Sequence, residues 1–151
     1  PAEGLADVDR LARATTAAGV RVEVDWRGKR RPLPPELELS AFRIVQESVT
    51  NVVRHAETDA CRVRVEYGEE DLTVEITDRG RGTGRGTSPG FGLVGMRERV
   101  ALLHGEFAAA PAPGGGFRVT ARLPVPVHEP VREAIPGPPE LAPEPLREAT
   151  I

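Results

Sequence analysis

The stretch "QESVTNVVRHA", residues 46–56, spaces Glu47, Asn51 and His55 four residues apart. On a helix these side chains stack along one face, with Arg54 beside them. Polar groups on an otherwise apolar helix are costly unless they meet solvent or a site. A solvated stripe would account for them. So would a metal–phosphate site: Mg²⁺ prefers oxygen ligands and keeps several waters, so the Asn51 amide oxygen with nucleotide phosphates makes a workable set. A second cluster, "DRGRG" from Asp78 to Gly82, follows an alternating run. An Asp ending a strand can accept a hydrogen bond from an exocyclic amine, and Gly80 and Gly82 let a flat ring approach the backbone. Asp and Gly at a strand end also make plain turns. A third stretch, "SPGFGLVGMRERV", carries Gly90, Gly92 and Gly95 in a Gly-x-Gly-x-x-Gly spacing. Gly90 and Gly92 give a loop freedom to close. The amides opening the helix that starts at Leu93 offer an anion site with a favourable dipole.

The common nucleotide folds do not fit. A dinucleotide fingerprint needs a strand feeding its first glycine and an acidic residue about 20 positions on. Here the glycines follow a loop, and no Asp or Glu lies between Phe107 and Val127. A P-loop needs Gly-x-x-x-x-Gly-Lys, but the only lysine, Lys29, has Glu23 where the first glycine should stand. His-Arg-Asp and Asp-Phe-Gly, required by Ser/Thr/Tyr kinases, are absent. A phosphate site here works with backbone amides, a metal and arginine.

The elements that must position these residues alternate. Residues 3–19 place Leu5, Val8, Leu11 and Ala12 at helical spacing and end on Gly19, a natural helix stop. Val20, Val22, Val24 and Trp26 alternate as a half-buried strand. After a proline-containing loop, residues 36–56 predict a long helix whose apolar side is Leu39, Phe42, Ile44, Val45, Val49, Val52 and Val53. Residues 61–78 read as a hairpin turning at Gly68–Asp71, and residues 79–90 as a mobile loop. A second amphipathic helix over 93–104 uses Leu93, Met96, Val100 and Leu103, with Gly95 expected to serve helix packing. Two last strands flank the turn "APGGG". The pattern is an α+β layer, strands on one side and helices on one face.

Composition narrows the classes further. The 151 residues suit one domain with a tail, and the net charge of −3 gives no footprint for nucleic acid. One cysteine, Cys61, excludes an internal disulfide and fits a reducing compartment. No apolar run approaches a membrane span, and no signal peptide is evident. Starting at Pro1, the chain reads as a piece of something longer. Residues 124–151 hold eight of the fifteen prolines and read as a mostly disordered tail behind a 1–123 domain.

Taken in order, Glu-x-x-x-Asn on a helix, Asp-x-Gly-x-Gly after a hairpin and Gly-x-Gly-Leu before a helix resemble the ATP-binding domain of the GHKL superfamily. That group includes gyrase, Hsp90, MutL and histidine kinases. "FRIVQESVTNVVRHA" and "GFGLVGMRERVALLHGEF" are similar to the catalytic domain of two-component sensor histidine kinases of the NarL/DesK-like type. The resemblance runs from about Gly4 to Pro124.

It implies a Bergerat two-layer α/β sandwich, a mixed sheet with helices on one face, and ATP with Mg²⁺ as cofactors. Asn51 would be the Mg²⁺ ligand, Arg54 a phosphate contact, and His55 a neighbour of ribose or phosphates. Asp78 would take the adenine amino group, with Gly80 and Gly82 lining the base pocket. Residues 83–90 would form the lid, closed by Gly90, Gly92 and Leu93, and Glu47 would be the candidate base. The implied reaction is transfer of the γ-phosphate to a histidine on an upstream dimerisation domain, then relay to a response regulator. His55, His104 and His128 do not match that acceptor, so the expectation is a cytoplasmic, monomeric fragment of a kinase (membrane-anchored or not) that cannot complete the reaction alone. A free-standing ATPase or serine kinase, and a nucleotide-sensing module without turnover, stay open as alternatives. Two departures from the family pattern stand out: Arg79 where Asp or Asn is common, and Phe117 after Gly116 where Thr is common. The second removes a hydroxyl and predicts weaker nucleotide binding.

Overall fold

In the computed structural model, residues 3–81 and 92–126 are described. A 3-10 turn at Leu5–Asp7 leads into α1 (Val8–Ala17), β1 (Arg21–Gly28) and the long α2 (Pro35–His55). A hairpin of β2 (Ala60–Tyr67) and β3 (Asp71–Asp78) follows, then α3 (Leu93–Leu102), β4 (Glu106–Pro111) and β5 (Phe117–Pro124). The five strands form one sheet in the order β1-β2-β3-β5-β4. β1 and β2 run parallel, joined by α2, and the remaining pairs are antiparallel. The mixed α+β architecture with its helices on one face is the one the sequence predicts.

Period-two alternation sorts the side chains. On the inner face, Cys61, Val63, Val65 and Tyr67 of β2 are buried, as are Leu72, Val74, Ile76 and Asp78 of β3 and Phe117, Val119, Ala121 and Leu123 of β5. Register turns them into rows across three strands: Val65–Val74–Ala121, Val63–Ile76–Val119, and at one end Cys61–Asp78–Phe117. α2 covers these rows with Leu37, Ala41, Phe42, Ile44, Val45, Val49 and Val52. α1 packs on β1, and α3 reaches β4, β5 and α2 through Met96 and Val100.

α2 begins with Pro35 at its first position, where a missing N–H costs nothing. Glu36 and Glu38 occupy its first turn and Arg54 and His55 its last, both in the sense that favours the helix dipole. Glu38 also ties distant backbone to the helix, accepting from Leu5 N at 2.8 Å and Leu33 N at 3.3 Å.

The outer face is charged but neutralises itself. Arg62 pairs with Glu23 at 3.6 Å, Arg118 with Glu75 at 3.5 Å, and Arg122 with both Asp71 at 3.2 Å and Glu106 at 3.0 Å. Arg64 Nε stands 3.4 Å from Asp25, an ion pair by distance whose angles are not those of a hydrogen bond. The hydrogen bond from Arg27 holds the Asp25 carboxyl below its usual range, helped by Arg64.

Several expectations shift. Val53 is 51% exposed and does not belong to the apolar side of α2, because one residue past buried Val52 the helix has turned about 100° away from the sheet. Leu39 is only half-buried. α3 stops at Leu102 rather than residue 104: His104 is left-handed at φ 63°, and Gly105 N returns to Val100 O at 3.0 Å. A Cβ at Gly95 would meet nothing within 4 Å, so this glycine does not serve helix packing.

Two outcomes follow from this layering. Leu72, fully buried on the inner face at the hairpin end of β3, should cost about 2–5 kcal/mol when cut to Ala. Arg122→Ala should cost far less and lose its effect in salt, both being read by urea unfolding through the single tryptophan, Trp26. The Cys61 thiol is pushed up to about 12 by burial, with the Asp78 charge adding to it. The folded chain therefore keeps a proton that the unfolded chain releases above its ordinary thiol range, so stability should fall as pH rises from about 9 toward 12. Cys61→Ala should flatten that slope, and the native thiol should react with disulfide reagents only as fast as the protein opens.

Candidate functional site

Parity along β3 decides where its last residue points. Leu72, Val74 and Ile76 face the helices, so Asp78 does too, and a carboxylate ends up 4% exposed on the apolar side of the sheet. Its Oδ1 accepts the Gly80 amide at 2.7 Å, which fixes the carboxylate against rotation. The chain then turns back under α2, with Arg81 N donating to Ala56 O at 2.9 Å. This approach is close enough that any side chain at Gly80 would run into the Ala56 carbonyl. A side chain at Gly116 would strike the backbone of Asp78 and Arg79. The two glycines thus admit the neighbouring chain that seats the carboxylate.

Asp78 lines a narrow cleft with Ser48, Asn51 and Val52 of α2, Leu93 of α3, and Ile76, Phe117 and Val119 of the sheet. The cleft joins three of the sequence-predicted residues, Asn51, Asp78 and Leu93. Among the described residues its floor and walls are apolar, and its polar groups are a carboxylate, an amide and a hydroxyl. An apolar lining with a few placed polar groups is the kind that orients a ligand by hydrogen bonds.

Glu47 is exposed and stands one turn before Asn51, with its carboxylate packed against Gly92. Gly92 is the residue that caps α3, at φ +77°. Both the positive φ and the Glu47 carboxylate exclude a side chain there. Arg54 is exposed and His55 half-buried on the last turn of α2, beyond the residues that line the cleft. Gly82, Gly90 and residues 83–90 of the expected lid lie outside the described residues, as do residues 127–151 of the expected tail. No group of three or more His, Cys, Asp or Glu able to hold a metal occurs among the described residues. No helix among the described residues is long and apolar enough to cross a membrane.

Sequence reasoning passed over Ser48, Val52, Ile76 and Val119 as cleft residues. The available signal was spacing: Ser48 stands one turn before Asn51, between the buried Val45 and Val52.

Comparison with known proteins follows the same lines. The chain is 33% identical over 113 residues to the signal transduction histidine-protein kinase/phosphatase DegS of Brevibacillus brevis, covering 74% of this chain and 29% of that protein. It is 36% identical over 107 residues to UhpB of Salmonella typhimurium, also a signal transduction histidine-protein kinase/phosphatase, covering 70% and 21%. With the oxygen sensor histidine kinase NreB of Staphylococcus carnosus it shares 31% identity over 110 residues, covering 71% and 32%. The chain therefore spans less than a third of each of these relatives. Among solved structures, the histidine kinase domain of the Erythrobacter litoralis EL346 blue-light activated histidine kinase shares the fold, with a TM-score of 0.62 at 24% identity over 80% of this chain and 60% of that one. Residues 36–127, from the first turn of α2 past the end of β5, match the histidine kinase-, DNA gyrase B- and HSP90-like ATPases, and the chain belongs to that family.

Proposed function

We propose that this chain binds Mg-ATP and supplies the γ-phosphate for phosphorylating a histidine on a dimerisation domain outside these residues, in two-component signalling. The observation that carries the reading is the buried Asp78 carboxylate, oriented by Gly80 N and sharing one cleft with Asn51. A carboxylate only accepts hydrogen bonds, so it selects a ring bearing an amine. The similarity to sensor histidine kinases supports the reaction class.

Each group then has a task. Asp78 receives the adenine amine, with Gly80 and Gly82 lining the base pocket. The Asn51 amide oxygen holds the cation, whose charge offsets that of the phosphates. Arg54 and His55, on the last turn of α2, face the polyphosphate and ribose. Gly90, Gly92 and Leu93 close over the phosphates. Glu47, against Gly92, is the carboxylate placed to take a proton during transfer. Phosphoryl transfer needs positioning and charge neutralisation more than covalent help, which so sparse a set can supply. Residues 1–123 form the catalytic unit in this reading, and the proline-rich 124–151 an appended segment whose first residue completes β5. The acceptor histidine belongs to a dimerisation domain, and the final acceptor is a response regulator. The isolated piece is monomeric and cytoplasmic.

Asp78→Asn exchanges an acceptor for a group that presents donors, and should weaken ATP binding by about tenfold or more while leaving the unfolding midpoint nearly unchanged. Calorimetric titration reads the affinity; tight ATP binding by this variant would sink the assignment. Incubation with γ-labelled ATP should leave no acid-labile label on this chain alone. Label should appear on a supplied dimerisation domain that carries the acceptor histidine.

A further inference from the structure

Among the described residues, two polar side chains are buried: Asp78 at 4% exposure and Ser48 at 2%. They come from different elements, β3 and α2, yet both line the same cleft. Asp78 has an evident reason to be there in the nucleotide reading. Ser48 does not. Its neighbours on that side of α2 are Val45, Val49 and Val52, and alanine at this position would favour the helix. The hydroxyl's partner is Met96 Sδ at 3.5 Å, a thioether that accepts hydrogen bonds only weakly. A buried hydroxyl held by so poor an acceptor gains by turning to a better one.

We propose that Ser48 reads the base: its hydroxyl donates to the ring nitrogen N1 of adenine, next to the exocyclic amine that Asp78 accepts. This rests on the nucleotide reading above and adds a specificity residue to it. The donor–acceptor logic is complementary. Adenine presents an N–H donor and a lone-pair acceptor on adjacent atoms of one edge, and the cleft offers a carboxylate that can only accept and a hydroxyl that can donate. Among the described residues the remaining walls contribute no hydrogen-bonding side chain at the base: Val52, Ile76, Leu93, Phe117 and Val119 are apolar. Asn51 stands one turn further along α2, where the cation and phosphates require its amide. Ser48 is thus the hydroxyl on hand for the second polar contact, supplied from the helix, while the β5 position in the cleft carries the phenyl ring of Phe117. On binding, the hydroxyl exchanges the Met96 sulfur for the ring nitrogen, and the first turns of α3 lose a tether to α2.

The test compares ATP with 1-deaza-ATP, which keeps the exocyclic amine and replaces N1 by C–H, titrated with Mg²⁺ into the full chain and its Ser48→Ala variant. The wild-type chain should bind ATP about tenfold more tightly than the analogue, the worth of one hydrogen bond to an otherwise satisfied site. Ser48→Ala should bind ATP as weakly as the wild type binds the analogue, and should no longer distinguish the two. A wild-type chain indifferent to N1 overturns the inference without any variant. So does a Ser48→Ala protein that folds, by its Trp26 emission, and still prefers ATP. If neither nucleotide binds the wild-type chain, the nucleotide reading itself fails and this inference with it. ATP binding without N1 discrimination removes the Ser48 role alone.

Discussion

A carboxylate on the apolar side of a sheet is tolerated only where hydrogen-bond donors meet it, and the placement of Asp78 is the constraint on which the rest of this site depends. Three features converge to satisfy it. β3 carries the inward parity through Ile76 to Asp78. The chain reverses at once, so that Gly80 N reaches Oδ1. Ala56, one residue past the end of α2, accepts the Arg81 amide and pins the reversal beneath the helix. Moving the strand by one residue would turn Asp78 to the outer face, where Thr77 now lies, and would bury a neutral hydroxyl instead. The register that fills the core with Val63, Ile76 and Val119 therefore also aims the functional group.

The opposite face of the sheet bears no such burden. Its arginines and carboxylates stand across from one another, so that Glu23 opposes Arg62, Asp25 opposes Arg64 and Arg64 opposes Glu75. Cross-strand pairs of opposite charge support register modestly. The described helices pack on the other side, and that asymmetry places the cleft at the junction of α2, α3 and the sheet.

Much of this was legible in the sequence because period-two alternation is a strong signal when one face is wet and the other dry. β2, β3 and β5 have that form, and the hairpin turn at Gly68 is closed by its amide to Asp71 O at 2.8 Å. Helix edges were less legible. α3 ends where His104 adopts a left-handed turn that nothing in its residue type demands. Val53 belonged to an apolar run of types, yet helical rotation places it in solvent. Glu47, Asn51 and His55 share a stripe by spacing, but the helix is long enough that only Asn51 lines the cleft, because the stripe runs past both of its ends. Ser48 escaped notice because a serine within an apolar helix reads as background until its burial is known.

The Gly-x-Gly-x-x-Gly spacing shows how residue types can be right for a reason other than the one the pattern proposes. Gly92 is required because it caps α3 in a left-handed conformation and because the Glu47 carboxylate occupies the space a side chain would take. Gly95 faces open space and could carry a Cβ without contact. The dinucleotide pattern asks its third glycine to allow close packing of helix on strand, and no such packing occurs at residue 95. One glycine of the pair is thus held by sterics and backbone together and the other by neither. The contact at Gly92 joins α2 to the start of α3, the two helices that bound the cleft. A change in the separation of those helices must alter both the seat of Glu47 and the space beside Leu93. The two helices that bound the cleft are coupled through one glycine rather than through a dinucleotide loop.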